Sequence, residues 1–122
     1  MRKFYSRTLS LAIAILCSAM AFAQVSVTAS AGTPGPTSYT TLKSAFDAVN
    51  AGTHQGTVTI SITGNTTETA SAILNASGLG AANYAAVNIG TSGSFTVSAS
   101  GAFALIDLNG ADNVTINGNN TL

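Results

Sequence analysis

The amino-acid sequence predicts an all-β chain in which short strands stack at near-regular intervals behind one short helix. Three observations carry this expectation. Val-x-Ile triplets begin at Val58, Val87 and Val114, 29 and 27 residues apart, the interval expected when each strand pairs with its equivalent one coil away. Asn-, Gly- and Ser-rich breaks separate the strands, among them Thr63-Gly64-Asn65, Gly90-Thr91-Ser92-Gly93 and Asn109 to Asn113. One amphipathic stretch precedes them all. An antiparallel β-sandwich is the competing arrangement, because many short strands with turn-rich breaks suit both.

Residues 1–23 read as an export label. Arg2, Lys3 and Arg7 give a positive start, Leu9 to Phe22 is a nearly continuous apolar run of 14, and Ala21-Phe22-Ala23 supplies small residues before a cut. A spanning helix needs about 20 apolar residues, so this run is too short to serve as one. Cleavage between Ala23 and Gln24 is expected, giving a secreted chain with no membrane span. Cys17 leaves with the label, so no thiol or disulfide chemistry remains.

Residues 24–38 should hold an N-terminal strand and a turn. Val25 to Ala29 alternates apolar and polar residues, and Thr33-Pro34-Gly35-Pro36-Thr37 then breaks it. Residues 39–52 should form the helix. Thr40 or Thr41 caps it, Leu42, Ala45, Phe46 and Val49 fall on one core-facing stripe, and Gly52 ends it. Residues 53–122 should be coils, with strands at the triplets and at Ala72-Ile73-Leu74, Phe95-Thr96-Val97 and Leu105 to Leu108. Inward Val, Ile, Leu and Phe fill a narrow core, while outward Thr and Ser suit strand geometry without charge.

Charge is scarce. Once the label is removed, Lys43 stands against Asp47, Glu68, Asp107 and Asp112, a net charge of −3. Nucleic acid is excluded as a partner, since its phosphates demand clustered Lys and Arg.

Tyr39 to Asn50 resembles the N-terminal capping helix of right-handed parallel β-helix proteins, the pectate-lyase-like superfamily. Leu105-Ile106-Asp107-Leu108-Asn109-Gly110-Ala111-Asp112-Asn113-Val114-Thr115-Ile116-Asn117-Gly118 is similar to that superfamily's coil motif. The whole resembles the opening of long, repetitive surface proteins secreted by Bacteroidetes. The resemblance implies a capping helix and about three coils, cut short at Leu122 from a longer protein. It implies a non-catalytic scaffold or adhesin-like module, with extracellular polysaccharide or a cell-surface ligand as partner. Its enzymatic alternative is the front of a polysaccharide lyase or glycoside hydrolase whose active coils lie beyond residue 122. The exposed edge of the last coil implies end-to-end self-association.

The residues themselves offer little reactive chemistry. Lyases of this superfamily use Arg or Lys as base, and Lys43 lies on the helix. Hydrolases need paired carboxylates, and Asp107 and Asp112, the closest acids in sequence, read as an outward strand residue and a corner residue. Asp107, Asn109 and Asp112, with Asn113, supply a few of the six or more oxygens that calcium needs around one corner. No catalytic or cofactor-binding set is expected. His54, in Gly52-Thr53-His54-Gln55-Gly56, reads as a solvated loop residue after the helix.

Overall fold

The computed structural model describes residues 22–118, so the expected export label lies outside the described residues apart from Phe22 and Ala23. Alternation shapes the first strand, β1 (Val25–Gly32), which buries Val25 and Val27. The Pro-Gly-Pro turn reverses the chain into β2 (Thr37–Tyr39), which pairs antiparallel with β1, Val27 opposite Thr37.

The helix follows as α1 (Leu42–Asn50). Its N-cap is Thr41, whose hydroxyl accepts from the Ser44 amide at 3.1 Å. Leu42, Ala45, Phe46 and Val49 are buried, the stripe that packs α1 on the strands. At the far end Gly52 donates to the Val49 carbonyl and Thr53 to that of Ala48, each at 3.0 Å. This pair of bonds closes the helix through a left-handed residue. Gly52 takes φ +74°, and a Cβ there would lie 2.6 Å from the Ala81 carbonyl oxygen, so glycine is required twice over.

Seven strands come next: β3 (His54–Ile62), β4 (Thr66–Glu68), β5 (Ala72–Asn75), β6 (Tyr84–Thr91), β7 (Val97–Ala99), β8 (Ile106–Asn109) and β9 (Val114–Ile116). They form an open, mixed five-stranded sheet of order β2-β1-β3-β6-β9 and two two-stranded sheets, β4-β7 and β5-β8. The antiparallel alternative holds only at the β2-β1-β3 margin, since β3-β6, β6-β9, β4-β7 and β5-β8 all pair in parallel. The three Val-x-Ile triplets stand side by side in register, Val58 with Val87 and Val87 with Val114. Corresponding strands in the smaller sheets are offset by 31 residues (Thr67 and Ser98) and 34 residues (Asn75 and Asn109). Side chains repeat the pairing: Thr67 meets Ser98 hydroxyl to hydroxyl at 3.2 Å, and Asn109 donates to Asn75 at 3.0 Å.

One core joins α1 to all three sheets. Corners use the left-handed backbone expected of Gly and Asn, with Gly110 at φ +74° and Asn113 at +53°.

Four local expectations are corrected. His54 and Gln55 belong to β3 rather than to a loop, because β3 begins in register with the end of β1, His54 opposite Gly32. The strand expected at Phe95 to Val97 starts at Val97, because the Phe95 amide turns back to the Gly93 carbonyl at 3.1 Å. Gly90 and Thr91, read as a turn, end β6 opposite Ser61 and Ile62. β4 was not expected at all; its inward residues are Thr66 and Glu68, which carry no apolar signal.

Candidate functional site

The most organised polar chemistry in the described residues lies where α1 meets the strands. The first amides of any helix lack intrahelical partners. Here Glu68, fully buried on β4, accepts from the Leu42 amide at 2.9 Å through Oε1 and from the Lys43 amide at 3.0 Å through Oε2. With Thr41 serving Ser44, the amides of Leu42, Lys43 and Ser44 all have side-chain partners. The carboxylate is held without a cation, by two charge-assisted bonds at the positive end of the helix. At the other end Asn50 imitates a strand: its amide donates to the Ile73 carbonyl at 2.8 Å and accepts from the Asn75 amide at 2.9 Å. The helix is thus clipped to β4 by one residue and to β5 by another.

A second cluster forms at the start of β3. His54 is fully buried, not solvated as the sequence suggested. Its Nδ1 lies 2.7 Å from the Thr33 carbonyl, which can only accept, so Nδ1 carries the proton. In the neutral ring Nε2 then accepts from the Tyr39 hydroxyl at 2.8 Å. The two rings meet edge to face, centroids 5.9 Å apart. Burial raises the Tyr39 phenol above its ordinary pKa. This cluster ties the turn after β1 and the end of β2 to β3.

The residues that the sequence offered for calcium are dispersed in role. Asp107 is exposed on β8, Asn109 spends its amide nitrogen on Asn75, and Asp112 is exposed in the corner before β9. Asp112 instead acts on Tyr84, whose phenol is pushed up by burial first and by the Asp112 charge second, while a backbone hydrogen bond at Ser77 opposes both. That phenol donates to the Asn75 carbonyl. No group of three or more His, Cys, Asp or Glu side chains able to hold a metal ion occurs among the described residues. Lys43 pairs with Asp47 at 2.6 Å on the exposed side of α1, an i,i+4 surface pair that contributes little.

Two spaces remain. A groove of about 210 Å³ lies at the C-terminal ends of β3 and β6, lined by Thr59, Ser61, Asn88, Gly90 and Asn117 among others, none of them charged. An apolar cavity of about 110 Å³ runs between the sheets, from Leu42 past Ile62 and Ile89 to Ile116. No helix in the described residues is long and apolar enough to cross a membrane.

The sequence had offered no sign of Glu68, Asn50 or the buried His54. Glu68 was legible only as an acid in an otherwise polar Thr-Thr-Glu run, and its partners lie 26 and 25 residues away. Comparison with family models, with curated proteins and with solved structures returns no match for this chain.

Proposed function

We propose that this chain is the closing end and first coils of an exported right-handed parallel β-helix, serving as a non-catalytic scaffold or adhesin-like module. The observation that carries the reading is the register. Each strand from β3 onward pairs in parallel with the strand three places later, β3 with β6, β4 with β7, β5 with β8 and β6 with β9. A parallel pair needs a long crossover, and here two further strands, each pairing in its own sheet, make the crossover.

Closure at one end fits the module reading. β1, with β2 beyond it, covers β3, and α1 covers β4 and β5 through Glu68 and Asn50. The polar groups with the best geometry, Glu68 and His54, are consumed in holding elements together, which is structural work. The uncharged groove of Thr59, Ser61, Asn88 and Asn117 supports an extracellular polysaccharide or similar cell-surface ligand as partner. Export rests on the N-terminal label and its expected cut before Gln24.

One preparation tests both halves. The full chain, expressed in a bacterium that exports it, is recovered from outside the cytoplasm, its N-terminus read by mass spectrometry, and its action on neutral and uronate polysaccharides followed by new reducing ends. The expected result is a chain starting at Gln24 that releases none. An intact Met1 in exported material would contradict the export reading, and released reducing ends would contradict the scaffold.

A further inference from the structure

The first residue beyond the expected cut is already built into the margin of the main sheet. Gln24 donates its backbone amide to the Tyr39 carbonyl at 3.0 Å, and its own carbonyl accepts from the Thr63 amide at 2.7 Å. Its half-buried side chain lies against Gly64. A Cβ added to Gly64 would come 2.9 Å from Gln24 Cγ, 3.4 Å from its Cβ and 3.6 Å from its Cα, so glycine keeps this seat open. The side-chain amide faces two carbonyls, those of Thr40 at 2.7 Å and Phe22 at 3.1 Å, which makes its nitrogen the atom that points at them.

A cut before Gln24, taken from the export reading proposed above, turns that backbone N–H into a free α-amine. An ammonium carries three N–H bonds, so one still reaches the Tyr39 carbonyl, now as a charge-assisted bond. We propose, resting on that cut, that Gln24 is a modification site gated by this latch: seated, it stays open; released, it closes on itself to a pyroglutamyl lactam. In that step the neutral α-amine attacks the side-chain Cδ. The N–Cδ bond forms, the Cδ–Nε2 bond breaks, and Nε2 leaves as ammonia carrying one proton from the amine. No co-reactant is consumed. The seat opposes closure, because a five-membered ring needs Cδ beside the α-nitrogen, while the α-nitrogen and the side-chain amide are tied to separate carbonyls, those of Tyr39 and Thr40.

Closure also spoils the seat. The lactam has spent the side-chain NH₂ that served Thr40. The ring holds Cδ beside Cβ and so turns the one remaining N–H to the side away from Cβ. In a residue of negative φ, as Gln24 is, the N–H lies nearer Cβ and there meets Tyr39. A cyclised Gln24 therefore cannot remake both bonds, and the start of β1 is tied down less firmly.

The test uses chain freed at Gln24 by a protease that leaves no residue behind, so that it does not depend on export. Loss of one ammonia from the N-terminal peptide is followed by mass spectrometry, in the folded chain and in a synthetic peptide of residues 24–32. The folded chain is expected to cyclise at least about tenfold more slowly than the peptide. Gly64→Ala, which crowds the seat, should speed cyclisation while leaving the Val58 and Ile60 amides slow to exchange. Chain cyclised while unfolded and then refolded should show faster exchange at the Thr63 amide. Equal rates in folded chain and peptide would overturn the latch, and unchanged Thr63 exchange would overturn its loss on closure. Exported chain that starts elsewhere than Gln24 would overturn the cut beneath the proposal, whatever the rates in vitro.

Discussion

The two ends of the strand stack are built from nearly the same residues and behave as opposites. Ile60, Ile89 and Ile116 occupy one column across β3, β6 and β9, yet they are 0%, 4% and 52% exposed. Val58 and Val87 are likewise fully buried, while Val114 is only half-buried. Hydrophobicity does not differ along the column; neighbours do. β3 has β1 on one side and β6 on the other, whereas among the described residues β9 has β6 alone. In a stack, burial is a property of position along the axis. A side chain contributes its full share, about 1.5–3 kcal/mol for a residue of this size, only when a neighbour covers it on each side.

The closed end adds polar closure to burial. Glu68 and Thr41 serve the Leu42, Lys43 and Ser44 amides, Asn50 occupies the edge of β5, and His54 ties the turn after β1 to β3. The open end has polar ladders along its sides, such as Thr67 with Ser98 and Asn75 with Asn109, but among the described residues nothing across its top.

Variants at the two ends should respond very differently. The largest effect is expected at Phe46, fully buried between α1 and the strands: Phe46→Ala should cost about 3–5 kcal/mol in denaturant unfolding. Glu68→Gln comes next. It keeps the shape but sets an NH₂ group against one of two helix amides, and should cost about 2 kcal/mol, because a charged acceptor is lost and a buried donor is left facing another. Ile116→Ala, measured where copies stay apart, should cost less than about 1 kcal/mol, since half the side chain is already in water. If Ile116→Ala cost as much as Phe46→Ala, the two ends would not differ as described.

Legibility follows the same physics. Helix α1 and the triplets at Val58, Val87 and Val114 show in the sequence because their inward positions are apolar and periodic. The turn residues Gly52, Gly110 and Asn113 show because backbone geometry selects them locally. β4 does not show, since its inward residues are Thr66 and Glu68, and polar residues mark a strand only once their distant partners are known. His54 escaped because the first residues of β3, His-Gln-Gly, carry no alternation; β1 recruits them into the sheet through Ala31 and Gly32. Phe95 is the reverse case: it is apolar and sits beside a strand, yet its amide turns back on Gly93 and leaves it outside β7.

Burial falls from β3 through β6 to β9, so stability should fall along the strand order in the same direction. Native-state amide hydrogen exchange on dilute Gln24–Leu122 chain tests it most directly. Exchange is expected to be slowest in β3, at Val58 and Ile60, intermediate in β6, and fastest among paired strands in β8 and β9. Equal protection of β3 and β9, or slower exchange at the β9 end, would contradict it.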